Sequence, residues 1–442
     1  MRTLLRHSIY ASGNFGKSTL WSCLEVFGLF YFTDALNLNP AIAGTILWLS
    51  FVWDSVSDPL VGTLADRYAG RVKTARPYVI TGAIIAGLSF ITLFALHRLG
   101  GGGVGLIFLV LILFRTGYTL VDVPHNAMLA LITPDNKARS LIASLRIGFS
   151  GLGKLVMSLL AAILLTQDHP KPEEFETLAL ALAGIYVASV LISLIAYHEV
   201  ALTQRKPENH HTLTRLVKIF TQNRRLISIF TISALTSLTT PVIGSILIYW
   251  GAHGPFTLAI SMKGVGVLAL SQMVALSVWT ALNDRVLPTF KTAMLANTVV
   301  LLAALALCMV GGMSSAHSVS APLAYSLISV MGFGLGGVFM LNWVLLPRAI
   351  DNDPLGEAKD YTLSLFGLFT LTNKLFMGFS SQISGLVLKA WGYSGENPSF
   401  ESVVGMGQTL LTLTMFGALG VIVLLALSET KPRAPLMKRT PT

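Results

Sequence analysis

Residues 40–64 read PAIAGTILWLSFVWDSVSDPLVGTL, and the only charged side chains among them are Asp54 and Asp58. A bilayer-spanning helix needs about 20 mostly apolar residues, and this stretch is long enough. Asp54 and Asp58 are four residues apart, so they share one helical face one turn from each other. The stretch therefore predicts a membrane-spanning helix that carries two neighbouring carboxylates.

The rest of the chain repeats the apolar character of this stretch. Hydrophobic residues make up 53% of the 442 residues and charged residues only 12%, against about 25% charged in an ordinary soluble domain. This composition excludes a soluble enzyme, a disulfide-rich secreted domain and a disordered scaffold. The two cysteines, Cys23 and Cys308, lie in apolar runs and are expected to pack there. Twelve runs are predicted to span: 8–33, 40–64, 77–98, 103–132, 140–166, 178–198, 226–250, 257–283, 289–312, 320–347, 360–391 and 402–428.

The basic residues predict the orientation of these spans. If both termini are cytoplasmic, 22 of the 31 Lys and Arg residues fall on the cytoplasmic side, and only Arg98, Lys171 and Lys389 on the other. Cytoplasmic loops of membrane proteins carry such an excess. The net charge of +10 is thus attributed to basic cytoplasmic loops, and no nucleic-acid partner is expected.

The longest polar stretch divides the predicted spans into two sets of six. We expect a six-helix bundle over 1–198, a cytoplasmic linker over 199–225, and a second six-helix bundle with a short tail over 226–442. Asp66-Arg67 follows the second span and Asp284-Arg285 follows the eighth, which is a weak sign of an internal repeat. Asp-Arg pairs are also common in ordinary short cytoplasmic loops. Two such bundles, with substrate bound between them, form the all-α fold of major facilitator transporters.

Ionisable residues inside the predicted spans are the candidates for function, because each is costly in hydrocarbon without a partner or a water-filled cavity. Ionised Asp54 and Asp58 repel each other unless a cation lies between them or one is protonated. Pro59 and Pro124 each leave a backbone carbonyl without its helical donor beside an aspartate, which favours a cation site. Kinked helices with aspartates paired to arginine are the alternative. The full set is Lys17, Glu25, Asp54, Asp58, Arg115, Asp122, Arg146, Lys154, Lys263 and Lys374.

Four segments carry a family resemblance. They are the run from Tyr10 to Asp34, the segment WDSVSDPLVG over 53–62, the loop from Ala65 to Tyr78, and YTLVDVP over 118–124. They resemble the glycoside–pentoside–hexuronide:cation symporter family of the major facilitator superfamily, densely in the first half and thinly in the second. The resemblance implies sugar transport coupled to Na⁺ or H⁺ by alternating access, with no cofactor beyond the coupling ion.

The resemblance also implies roles for individual residues. Asp54, Asp58 and Asp122 match the family's cation-site aspartates, with Na⁺ as one candidate ion, and Ser57 and Thr119 lie beside them. Ser57 replaces an asparagine of a sodium-coupled member, whereas Ser18 and Asn126 replace two residues that bind the sugar in that family. The expected substrate contacts are Lys17, Ser18, Trp21, Asn126, Arg146 and Lys374. Because the charged residues inside the predicted spans sum to a positive value, an acidic sugar such as a hexuronide is favoured as the substrate.

The expected function is therefore symport of a small polar solute by a monomer in the inner (plasma) membrane. Asp66, Arg67, Arg71 and Arg76 are expected to latch the cytoplasmic side. A lysophospholipid or another amphiphile is the alternative substrate for the same fold. A membrane enzyme is not expected, because the loops hold no clustered metal ligands, no Ser-His pair and no phosphate-binding glycine loop.

Overall fold

The structure is a computed structural model of the whole chain. It describes residues 2–68, 76–101, 103–132, 136–165, 170–196, 219–351, 353, 358, 361–396 and 398–429. Most of the predicted linker, 199–218, lies outside these residues.

Long α-helices make up nearly all of the described chain. This agrees with the composition, since only helices and closed barrels satisfy every backbone hydrogen bond within a bilayer. The helices are α1 (Arg2–Phe30), α2 (Pro40–Tyr68), α3 (Arg76–Ala95), α4 (Gly103–Ile132), α5 (Asn136–Leu164), α6 (Pro172–Ser193), α7 (Arg224–Thr239), α8 (Val242–His253), α9 (Leu258–Arg285), α10 (Thr289–Met313), α11 (Ala321–Asp351), α12 (Thr362–Ala390) and α13 (Phe400–Glu429).

The described chain contains nine helices that are long and apolar enough to cross a membrane. Helices α7 and α8 count there as one, from Arg224 to His253. Three further helices, α1, α2 and α12, have 29 residues each but are not among the nine. These three carry Lys17, the Asp54–Asp58 pair and Lys374. The count of twelve spans therefore stays a prediction.

One predicted span differs from the structure. The run 226–250 was expected to be a single helix, but α7 ends at Thr239 and α8 begins at Val242. Pro241 lies between them, and proline has no N–H to donate to the preceding turn. By contrast, Pro59 and Pro124 lie inside α2 and α4, which continue past them.

The helices pack first within each half of the chain and then across the halves. Before residue 197, α1 packs against α5 and α6, and α3 against α4 and α6; after residue 218, α9 packs against α11, and α10 against α11 and α13. Among the described residues, the helices that pack most extensively across the halves are α2 with α12, α5 with α9, and α1 with α8. The α2–α12 pair brings the helix with two aspartates against the helix with Lys374.

Glycines allow α2 and α12 to approach closely. A Cβ atom on Gly385 would lie 2.3 Å from the Pro40 carbonyl oxygen, and one on Gly44 would lie 2.8 Å from the Ser381 carbonyl oxygen. Gly378 faces Phe51 at 2.7 Å in the same way. Small residues at such crossings let two helix backbones meet in a membrane.

We predict that Gly385→Ala destabilises the protein by about 1–3 kcal/mol, because the new methyl group meets backbone that cannot move aside. The matched control is Gly367→Ala on the same helix, where nothing lies within 4 Å of the added atom. Thermal unfolding of the purified protein should show a lower melting temperature for the first variant only. Equal melting temperatures would contradict the close crossing of α2 and α12.

Candidate functional site

The Asp54–Asp58 pair of α2 is bridged by a lysine from the other half of the chain. The Lys374 Nζ lies 2.9 Å from Asp54 Oδ2 and also contacts Asp58 Oδ2. Asp54 is completely buried, whereas the Asp58 side chain is 24% exposed. One ammonium group thus relieves the repulsion between two carboxylates that are one helical turn apart.

Hydroxyl groups complete this cluster. The Thr119 Oγ1 of α4 lies 3.2 Å from Asp54 Oδ1 and 3.0 Å from Asp58 Oδ1. The Ser57 Oγ lies 3.1 Å from Thr119 Oγ1. Carboxylate and hydroxyl oxygens of this kind are ligands for a hard cation. We call Asp54, Asp58, Thr119, Ser57 and Lys374 the carboxylate cluster.

The third aspartate, Asp122, has a different lysine. The Lys17 Nζ of α1 lies 2.7 Å from Asp122 Oδ1 and 3.3 Å from His125 Nδ1. Lys17 is only 3% exposed, so it does not extend to an interface. The His125 ring stacks on Tyr10 with centroids 4.6 Å apart, and sequence reasoning assigned Tyr10 no role.

A chain of polar side chains extends from Asp122 to α5. The Asn126 amide donates to Asp122 Oδ2 at 2.8 Å, and its oxygen accepts from the Arg146 guanidinium. Arg146 Nε donates to Asn14 Oδ1 at 3.1 Å. Asn126 is exposed and Arg146 is half-buried, so solvent reaches this part of the site. We call Lys17, Asp122, Asn126, Arg146 and Asn14 the polar wall.

Sequence reasoning grouped the three aspartates, but the structure gives them two sets of partners. Among the described residues, no three His, Cys, Asp or Glu side chains are arranged to hold a metal ion. An ion site that combines all three aspartates stays a prediction. The partners are lysines, not the arginines of the alternative interpretation.

The other predicted substrate contacts lie near these groups or apart from them. Ser18 donates to the Ser150 carbonyl at 2.7 Å, beside the polar wall. Trp21 instead lies against Arg115, with 4.7 Å from the guanidinium carbon to the ring centroid. Lys263 is exposed and belongs to neither the carboxylate cluster nor the polar wall.

Little of the predicted cytoplasmic latch can be located. Arg71 and the side chains of Asp66 and Arg67 lie outside the part of the chain that is described. Arg76 donates to the Leu194 carbonyl at 3.4 Å, which is a contact within the first half.

A second link between the halves lies far from these groups and was missed from the sequence. Asp34 Oδ1 lies 3.0 Å from His253 Nε2 and accepts from the Tyr393 hydroxyl at 2.6 Å. Thr33 and Tyr249 hydroxyls are 2.7 Å apart beside it. Asp34 is 17 residues beyond Lys17, or about 25 Å along a helix. We call Asp34, His253 and Tyr393 the Asp34 link.

The link lies beside a cavity of about 790 Å³ lined by Phe30, Asp34, Pro170, Ala252, His253, His317, Gly395, Glu396, Pro398 and Phe400. This cavity is not the candidate site, since none of its lining residues belongs to the carboxylate cluster or the polar wall.

Comparison with known proteins agrees with this architecture. Residues 9–429 match the model of the MFS/sugar transport protein family. The chain is 25% identical to the uncharacterized symporter YnaJ of Bacillus subtilis, over 87% of this chain and 82% of that protein. It is 22% identical to an isoprimeverose transporter of Lactiplantibacillus pentosus, over 92% of this chain and 88% of that one.

A solved structure shares the fold. The crystal structure of the nucleoside transporter NupG superposes with a TM-score of 0.69 at 16% identity, and the match covers 98% of this chain and all of NupG. The resemblance found in the sequence is thus confirmed, and the protein is a transporter, not an enzyme. The chain belongs to the MFS/sugar transport protein family, whose members are multi-pass membrane proteins of the major facilitator type.

Proposed function

We propose that the protein is a cation-coupled symporter that moves a small polar solute, a sugar, glycoside or hexuronide, by alternating access. In this proposal twelve spans form two six-helix halves, 1–198 and 226–442, joined by the linker 199–225. The family membership supports the solute class. The nine apolar helices, together with the three more polar helices α1, α2 and α12, support a count of twelve spans.

One observation carries the proposal: an ammonium group from one half lies between two carboxylates of the other. Two aspartates and one lysine leave the carboxylate cluster with a single negative charge if all three are ionised. A Na⁺ or H⁺ that enters there makes the cluster neutral or replaces Lys374 as the counter-charge. Since Lys374 joins α12 to α2, loading of the ion changes a contact between the halves.

The polar wall supports a solute with many hydroxyl groups. It offers ammonium and guanidinium donors from Lys17 and Arg146, and both a donor and an acceptor from Asn126. Arg146 and Asn126 are the accessible members, so they are the first groups that an entering solute meets. Ser18 and Lys374 border the same space in this proposal, and Asp122 links the wall to the ion site by charge.

Alternating access requires contacts between the halves that break and reform. The Asp34 link is such a contact at one end of the molecule, and we place it on the outer side, with both termini cytoplasmic. Asp66, Arg67, Arg71 and Arg76 form the opposing latch in this proposal. The protein then works as a monomer in the inner membrane of a bacterial cell, and the lipid bilayer is its only structural partner.

We predict that Asp58→Asn abolishes gradient-driven solute uptake into proteoliposomes. Loss of one ion ligand worth about 1.4 kcal/mol already weakens ion binding about tenfold. The control is Asp284→Asn, an exposed aspartate at the end of α9, which should transport as the unmodified protein does. Undiminished accumulation in the Asp58 variant would refute the ion-site assignment.

The same assay separates the two substrate classes. Uptake of a labelled solute should be competed by free glycosides and not by lysophosphatidylcholine. Competition by the lysolipid alone would establish the amphiphile alternative.

We predict that Lys374→Met destabilises the protein by about 3–5 kcal/mol, because it leaves two buried carboxylates without their counter-charge. The matched control is Lys389→Met, an exposed lysine on the same helix. Adding Asp54→Asn to Lys374→Met should recover part of the loss, since it removes one of the two charges. Thermal unfolding of the unmodified protein and the three variants measures this, and a Lys374 variant as stable as its control would contradict the bridge.

A further inference from the structure

Arg115 of α4 is a buried cation that makes no hydrogen bond or ion pair with the carboxylate cluster or the polar wall, although its charge interacts at longer range with Asp54. It is 2% exposed, and its guanidinium carbon lies 4.0 Å from the Phe51 ring centroid and 4.7 Å from that of Trp21. Its Nε is buried and has no hydrogen-bond partner. No hydrogen bond or ion pair to Arg115 is found among the described residues.

Glu25 lies near this arginine and also makes no direct ion pair among the residues described. It is one helical turn beyond Trp21 on α1, and its charge interacts at longer range with Lys154 and Arg115. Arg115 also interacts at longer range with Asp54 and Asp58 of α2, so its charge is balanced only by carboxylates that do not contact it.

Glu25 and Arg115 line one narrow cavity between the halves of the chain. Its wall consists of Trp21, Leu24, Glu25, Leu47, Phe51 and Arg115 from the first half and Pro241, Met377 and Ser381 from the second. The space is about 10 Å³, which is close to the least that holds one water molecule. A larger ligand can enter only when the two halves separate, as alternating access requires.

An unpaired guanidinium held between two rings has its donors fixed in direction. Cation–π contacts hold its plane and leave the N–H groups at its edge unoccupied. The strongest partner for such a planar fork is a carboxylate, which accepts two parallel hydrogen bonds. Trp21 and Phe51 also restrict the ligand to a group that fits beside aromatic rings, as a sugar ring does.

We infer that Arg115, caged by Trp21 and Phe51 and faced by Glu25, is a second substrate contact that binds the carboxylate of an acidic glycoside. This inference rests on the proposed transport function. Lys17 and Glu25 are eight residues apart on one face of α1, or about 12 Å along the helix axis. A two-ring solute spans that distance, with one ring at the polar wall and the carboxylate at Arg115.

The test compares two probes that differ only in the carboxylate: p-nitrophenyl β-D-glucuronide and p-nitrophenyl β-D-glucoside. Binding to the purified full-length protein is measured by calorimetry. The unmodified protein should bind the glucuronide about tenfold more tightly, as expected for a charged hydrogen-bond pair. Arg115→Gln should remove that preference and leave glucoside binding unchanged, and Arg115→Lys should restore part of it.

The control is Arg98→Gln, which removes an exposed arginine paired with Glu176 and should change neither affinity. Glu25→Gln gives a result of opposite sign, tighter glucuronide binding, because it removes a negative charge beside the ligand. That variant keeps the test decisive if the Arg115 variants do not fold.

Equal weakening of both probes by Arg115→Gln would overturn the inference, as would a preserved preference for the glucuronide. So would an unmodified protein that prefers the glucoside or binds neither probe. Failure of the transport proposal would be seen in a different experiment, as the absence of gradient-driven uptake of any solute.

Discussion

The buried carboxylate pair on α2 is the constraint on which the rest of the structure depends. Asp54 and Asp58 lie one turn apart and are the only charged residues of the stretch 40–64 of α2, so they need a counter-charge. The chain supplies it from Lys374, which is 316 residues from Asp58 in sequence. The counter-charge therefore also joins the two halves. A site that accepts a cation in place of Lys374 necessarily changes how the halves are held together.

The other contacts between the halves fit this relation. Gly44, Gly378 and Gly385 let the backbones of α2 and α12 approach closely, and Trp48 packs on Phe379 beside them with ring centroids 5.0 Å apart. The Asp34 link joins the halves through hydrogen bonds to His253 and Tyr393, which can exchange with water. The polar wall and Arg115 with its two aromatic neighbours are where we propose that the solute binds.

Much of this could be predicted from the sequence, and the limits have physical causes. Composition predicted a multi-pass membrane protein, the family resemblance predicted a transporter, and helical spacing with the adjacent prolines selected the aspartates. Pairing was not predictable: Lys17 lies at Asp122 and Lys374 at Asp54 and Asp58 because of helix packing, which local spacing does not encode. For the same reason the Asp34 link was missed, since its members are more than 200 residues apart in sequence. The break between α7 and α8 does have a local sequence signal, Pro241, but it was missed because the span was predicted from hydropathy alone.

The most direct test of the central claim is solute accumulation by the unmodified protein in proteoliposomes with an imposed Na⁺ or H⁺ gradient. If a cation enters the carboxylate cluster together with the solute, the internal solute concentration must rise above the external one under at least one gradient. An ionophore that dissipates that gradient must make the internal and external solute concentrations equal again. Simple equilibration of the solute under both gradients would contradict coupling through Asp54, Asp58 and Lys374.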